Sequence, residues 1–157
     1  MLHTGCRLLL NQEEMEITKA INYRDNIVAL LVAEKLPAED LPATLENFRV
    51  ARKNSEVIGV AGLEIYGDYG LLRSLAVQPV YRNTGIAGKL VGQIETLAKS
   101  KDLKAICLLT ETAAGYFDRK GYSRITRSDV PAEVQSSSEF SYVCPQSAIA
   151  MIKSLTT

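Results

Sequence analysis

The sequence predicts an α/β fold, a mixed central sheet with helices on both faces, in a single domain over residues 1–157. Three observations carry this prediction. Leu71–Ala98 reads as an apolar strand, a glycine-bearing turn and an amphipathic helix in direct succession. Lys104–Thr110 is a nearly continuous apolar run, the pattern of a strand buried on both faces. These two strands and the helix between them form a βαβ unit, which makes the strands parallel with a right-handed crossover. The strands Phe48–Arg52, Val57–Tyr66 and 71–77 are separated only by short turns and therefore run antiparallel.

Taken in order, residues 1–13 are poorly patterned and read as a flexible start. Met15–Ala20 is a first strand. Asn22–Leu36 reads as a helix with Ile27, Leu30, Leu31 and Glu34 along one side, stopped by Pro37. Ala38–Leu45 reads as a second short helix after a kink. Phe48–Arg52 is a strand, Lys53–Glu56 a turn, and Val57–Tyr66 a longer strand. Gly67-Asp68-Tyr69-Gly70 turns the chain into the strand 71–77, which Pro79 ends. In the next helix Ile86, Leu90, Ile94, Leu97 and Ala98 share a face opposed by Lys89, Gln93 and Glu95. After the strand at 105–110, Thr112–Lys120 is a short helix closed by Gly121. Tyr122–Thr126 and Glu139–Val143 read as late strands flanking a loop at Asp129–Ser138. Gln146–Leu155 reads as a terminal helix after Cys144-Pro145.

Composition narrows the function. Lys+Arg and Asp+Glu number 18 each and no block of like charge appears, which argues against nucleic acid or an anionic membrane as partner. The run Leu8-Leu9-Leu10 is too short for a signal or a spanning helix. Cys6, Cys107 and Cys144 are odd in number and widely spaced, so they read as reduced thiols of a cytoplasmic protein. His3 is the single histidine, which disfavours a histidine triad or a metal site; no metal is expected.

The turn Arg82–Gly88 is the candidate chemical site. The first turn of a helix carries unpaired N–H groups and the positive end of its dipole. Gly85, Ala87 and Gly88 let a phosphate approach that backbone. Neither G-x-x-x-x-G-K-[ST] nor G-x-G-x-x-G is present. Arg82-x-x-Gly85-x-Ala87, directly after Leu75-Ala76-Val77-x-Pro79, resembles the acetyl-CoA signature [RQ]-x-x-G-x-[GA] of the GNAT acetyltransferase superfamily. Ala113–Tyr122 resembles its second signature, A-x-x-x-Y-x-x-x-G-[FY], and the order of elements from about residue 15 to 126 follows the same fold. Leu71–Val77 and the segment from Glu139-Phe140-Ser141 to Cys144-Pro145-Gln146-Ser147-Ala148 resemble the acetyltransferases encoded with arsenic-resistance genes. Tyr116–Tyr122 also resembles the catalytic domain of amino-acid N-acetyltransferases.

The resemblance implies a sheet splayed between strands 71–77 and 105–110, acetyl-CoA as cosubstrate and direct acetyl transfer to the amine of a small, amino-acid-like or anionic acceptor. A homodimer is a further expected partner. The strand with Leu75, Ala76 and Val77 would lie along the pantetheine, the amides of Thr84, Gly85, Ile86, Ala87 and Gly88 would hold the diphosphate, and Arg82, Asn83, Thr110 and Phe117 complete the expected cofactor-binding set. Many members place tyrosine, as acid for the leaving thiolate, where this chain has Phe117; Tyr116 lies about 100° away around a helix and is the remaining candidate acid. Glu64 is the candidate base, weighed against an ordinary solvated strand carboxylate. Arg73, a charge inside an apolar strand, needs a partner. Pairing Tyr66 with Leu71 places Glu64 opposite Arg73, either as a structural ion pair or with Arg73 free to receive an anionic acceptor group. A non-catalytic acetyl-CoA-binding module and a protein acetyltransferase are the competing readings.

Overall fold

The computed structural model describes residues 14–140 and 147–156. Seven strands form one mixed sheet: β1 Met15–Lys19, β2 Phe48–Lys53, β3 Glu56–Tyr66, β4 Tyr69–Val77, β5 Ala105–Thr110, β6 Ser123–Ile125 and β7 Ile149–Ser154. Their order across the sheet is β1-β2-β3-β4-β5-β7-β6. The helices are α1 Arg24–Ala33, α2 Ile86–Ser100, α3 Ala114–Arg119 and α4 Ala132–Gln135. α2 and α3 bury Leu90, Ile94 and Phe117 on one face of the sheet with Leu63, Leu72, Ile106 and Met151. α1 covers the other face over Phe48, Val50, Val60 and Ala76, and Val134 of α4 packs over Leu71, Cys107 and Ala150.

The β2–β3 and β3–β4 connections are two-residue hairpins. Asn54 and Ser55 both have positive φ, as a type I′ turn requires, and Gly67 at +63° opens the second turn in the type II′ manner. Tight turns of this kind match strand twist, so Tyr69 and Gly70 enter β4 instead of looping. The register is therefore Tyr66↔Tyr69 and Glu64↔Leu71, two residues from the expected Tyr66–Leu71 pairing. A slip of two preserves faces, so Glu64 and Arg73 still lie on the same side.

β4 is bulged. Ser74 and Leu75 together oppose Ala61, and Ser74 takes φ +60°. The extra residue reverses the alternation along β4, so Leu72 and Val77 face α2 while Arg73 and Ala76 face the opposite side. Beside β4, the parallel pairing to β5 runs only from Tyr69↔Ala105 to Leu71↔Cys107. Beyond those residues the strands part, and the sheet opens as the expected splay.

Three expected elements differ. Ala38–Leu45 is a run of turns rather than a helix. Pro37 and Pro42 interrupt it, and the Arg24 guanidinium donates to the Pro42 carbonyl at 2.8 Å while Leu41 and Leu45 are buried beneath. Ile149–Ser154, read as part of a terminal helix, is strand β7, inserted between β5 and β6 and paired with both. A short apolar run has no period that separates helix from strand, and the two waiting strand edges decide it. Ser138–Phe140 is helical, not strand, and Phe140 packs with Val130 and Val134; residues 141–146, with Cys144 and Pro145, lie outside the described residues, as do residues 1–13, for which the sequence predicts a flexible start.

Gly62 marks the closest packing within the sheet, where a Cβ would come within 2.4 Å of the Phe48 ring. Gly62→Ala is expected to lower stability by about 1–3 kcal/mol, read as a shift of the urea unfolding midpoint. An unchanged midpoint would show that Phe48 moves aside freely.

Candidate active site

The splay between β4 and β5 opens into two adjoining hollows of about 1000 and 690 Å³ that share Glu34, Leu36, Leu75, Thr112 and Ala113. The larger one is the α2 end. Leu75, Ala76 and Val77 form its floor, and Arg82, Asn83, Gly85, Ile86, Ala87 and Gly88 form its wall. Gly85 caps α2 in the left-handed region at φ +87°, where glycine is unstrained and an L side chain is not. Lys89 N donates to Gly85 O at 3.1 Å, and the N–H groups of Ile86, Ala87 and Gly88 precede that first helical bond. A Cβ on Gly85 would meet nothing within 4 Å. Lys89, Arg119 and Lys120 also border this hollow. The cradle is thus small-walled, donor-rich and cationic, which fits a diphosphate.

Two residues of the motif behave differently from the simple expectation. Thr84 is not part of the lining; its hydroxyl donates to the Tyr81 carbonyl and holds the loop. Arg82 is ion-paired with Glu34, which caps α1, and its Nε donates to the Val77 carbonyl at 3.3 Å. Arg82 thereby ties the turn to α1 and to the end of β4.

The smaller hollow is bordered by Arg73, Ser74, Thr110, Phe117 and Glu139. Arg73 is 3% exposed and stands at its base. Asp40 grips the guanidinium with both carboxylate oxygens, at 2.9 Å to Nη1 and 2.8 Å to Nη2. Glu64 lies at 3.6 Å and Glu139 at 3.7 Å from the same group, and its Nε donates to the Ser74 hydroxyl at 2.9 Å. Ser138 donates to Asp40, and Tyr66 donates to Glu64 at 3.0 Å. Burial by itself would raise the Asp40 carboxyl, but the hydrogen bonds from Arg73 and Ser138 and the Arg73 charge outweigh it and hold the carboxyl below 3.8. Burial by itself would lower Arg73, and the three carboxylates reverse that. The Tyr66 hydroxyl is pushed well above its ordinary range, by burial and then by Glu64.

The structure thus brings Glu64 and Arg73 together, but as members of a larger cluster. Glu64 opens on a side groove with Pro42 and Thr44, whereas Glu139 borders the hollow itself. Of the two expected roles of Arg73, a structural ion pair or a receptor for an acceptor's anionic group, the geometry has the fork filled by Asp40 as an ion pair. Asp40, Ser138 and Glu139 were not singled out from sequence. The available signal was Arg73 itself, since a buried guanidinium demands carboxylates; their positions, 33 and 65–66 residues away, were not readable.

Adjacent α3 residues look in different directions. Phe117 borders the smaller hollow and packs edge-on against Tyr116 and Tyr122, with centroids at 5.2 and 5.3 Å. Tyr116 borders only the α2 end. Cys107, the free cysteine of the described residues, is buried in β5, where burial pushes its thiol up to about 11. It lines neither hollow. No group of three or more metal-ligating side chains occurs among the described residues. No helix among them is long and apolar enough to cross a membrane.

A splayed mixed sheet with a helix N-terminus at the mouth of the splay defines an acetyltransferase class, and residues 44–124 match the acetyltransferase (GNAT) domain family. The chain belongs to that family. Among curated relatives it is similar to the amino-acid acetyltransferase of Pseudomonas fluorescens, 33% identical over 139 residues, which are 82% of this chain and 32% of that protein. The corresponding protein of Ectopseudomonas mendocina is 27% identical over 140 residues, again 82% and 32%. The chain therefore spans about a third of the length of these relatives. Among solved structures, N-acetylglutamate synthase from Neisseria gonorrhoeae, complexed with coenzyme A and N-acetyl-glutamate, superposes with TM-score 0.74 at 15% identity, covering 92% of this chain and 36% of that one. Rv2747 from Mycobacterium tuberculosis, in complex with CoA, superposes with TM-score 0.76 at 26% identity, covering 90% and 99%.

Proposed function

We propose that this chain transfers the acetyl group of acetyl-CoA to the amine of a small, amino-acid-like acceptor by direct attack. The observation that carries the reading is the splay itself. Past Leu71, β4 pairs with β3 alone, so its other edge at Leu75–Val77 has no strand beside it and can take an extended amide-bearing arm as a neighbouring strand would, with the Val77 carbonyl already engaged by Arg82. The α2 cradle stands at one end of that path and the Glu139-bordered hollow at the other. Amino-acid acetyltransferases among the relatives and CoA-bound structural neighbours support the donor and the acceptor class.

Each residue then has a stated task. The first-turn amides of α2, with Lys89, hold the diphosphate and set the depth of the donor. The bulge at Ser74 turns the β4 backbone toward the reacting carbon, and a fixed N–H there stabilises the oxygen that gains charge during attack. Glu139 holds the incoming amine as its ammonium and then accepts its proton. Arg73 holds Glu139 in place from 3.7 Å, and is itself locked by Asp40 and Glu64. The leaving thiolate needs no side-chain acid, since a free thiol titrates near 8.5, and Phe117 offers none.

The test is thiol release from acetyl-CoA against amino acids, glutamate analogues, polyamines and the decarboxylated counterpart of each amino acid. Turnover with at least one amine is expected. CoA binding without turnover on any acceptor would make the chain a binding module instead. With an acceptor in hand, Glu139→Gln is expected to lower kcat/KM by at least about tenfold at unchanged CoA affinity. Full activity in that variant would remove Glu139 from the reaction.

A further inference from the structure

The Tyr116 hydroxyl is the unexplained group of the cleft. It is shielded from solvent and has no hydrogen-bond partner among the described residues. The nearby carboxylate, Glu95, is already engaged by the Tyr122 hydroxyl at 2.9 Å and by Lys153 Nζ at 3.1 Å. An unpaired, desolvated hydroxyl costs free energy unless something else completes it. Its position says what that is. A Cβ built on Gly88 would lie 3.7 Å from the Tyr116 oxygen and 3.4 Å from Lys120 Nζ. Both groups therefore converge on the first turn of α2, where the backbone donors are also unspent. Lys120 Nζ lies 5.4 Å from the Tyr116 ring centre, and no carboxylate among the described residues pairs with it. Phe117, one residue on, borders the other hollow.

We propose that Tyr116 is a donor-binding residue: its hydroxyl, together with Lys120 Nζ, takes an oxygen of the CoA diphosphate across the cleft from the α2 amides, and it delivers no proton to the leaving sulfur. The inference rests on the acetyl-CoA reading above and assigns to it a wall that the turn motif does not contain. Gly88, which has no side chain, lies between the two walls. Its missing side chain is the gap between the amides on one side and the hydroxyl and ammonium on the other. Burial, and then the Glu95 charge, raises the Tyr116 pKa, so the hydroxyl remains a donor at neutral pH.

The experiment compares a full donor with one that ends before the diphosphate. Calorimetry measures CoA and pantetheine, and kinetics measure acetyl-CoA and S-acetylpantetheine, for the wild type, Tyr116→Phe and Lys120→Met. Each variant is expected to weaken CoA about five- to thirtyfold and to raise KM for acetyl-CoA alike, with kcat within about twofold. Pantetheine and S-acetylpantetheine should be indifferent to both changes. A loss of a hundredfold or more in kcat on both donors would make Tyr116 the acid and overturn the proposal. An equal loss of affinity for both ligands would reduce it to packing, and no change for either would leave the hydroxyl without a role; each of these also overturns it. CoA binding with no turnover in the wild type would overturn the transferase reading alone, because the calorimetric comparison still decides the place of Tyr116. A wild type that binds no CoA would overturn both.

Discussion

Ala87→Glu is expected to weaken CoA binding by at least about a hundredfold while the domain stays folded. Ala87 occupies the second position of α2 and borders the cleft. Its N–H is among those without a helical partner. A glutamate there brings its own negative charge to the positive end of the helix, where it competes for the donors that a diphosphate would use and repels that diphosphate. A hundredfold corresponds to about 2.8 kcal/mol, a modest demand for two like charges meeting in a partly desolvated cradle. The fold is spared because an acidic residue in a first helical turn favours the helix. Ala87 is therefore a cleaner probe than Gly85, whose φ of +87° would add backbone strain to any substitution. The measurements are calorimetry with CoA and a thermal unfolding scan. Unchanged affinity would remove the α2 turn as the anion site.

Arg73→Gln is expected to destabilise the domain by about 3–5 kcal/mol, a large fraction of what holds a typical domain together. The substitution leaves Asp40, Glu64 and Glu139 facing one another around a side chain that is 3% exposed in the native protein. Removing one partner of a buried ion cluster costs far more than the cluster contributes, because the remaining charges lose their compensation. Adding Asp40→Asn to Arg73→Gln should restore part of the loss, so the double variant should be more stable than the sum of the singles implies. The pH dependence has a definite sign. The folded Asp40 carboxyl titrates below 3.8, so its contribution is complete above about pH 4 and disappears as pH falls through the folded value. Asp40→Asn should flatten that acid limb of the stability curve. A loss under about 1 kcal/mol in Arg73→Gln, by denaturant titration, would mean that water replaces the guanidinium.

Glu139 and Tyr116 show how far reading from sequence extends. The turn of the α2 cradle was legible because it lies within seven consecutive residues, Arg82–Gly88, and its features have local physical reasons, whereas the Arg119 and Lys120 side of the hollow was not. Gly85 is needed at positive φ, the small residues open the backbone, and the helix that follows supplies the donors. The need of Arg73 for partners was legible too, since a charge inside an apolar strand admits few outcomes. Glu64, read from the strand register, is one carboxylate that answers it, whereas the other two were not legible. Asp40 arrives from a proline-interrupted run of turns and Glu139 from a helical turn that reads equally well as strand, and nothing local records that they meet.

Periodicity, with glycine and proline at single positions, is enough for the class of the chain: a mixed sheet, a βαβ crossover and a glycine-capped helix N-terminus at one strand end. The tertiary structure alone decided the two-residue turn that moved the β3–β4 register, the bulge at Ser74 and the insertion of β7 between β5 and β6. It also decided the rotation of α3 that sends Phe117 and Tyr116 to opposite ends of one cleft. Those outcomes depend on which surfaces are available to pack and which strand edges remain unpaired. They are settled by contacts between segments far apart in the chain, where local pattern carries no information.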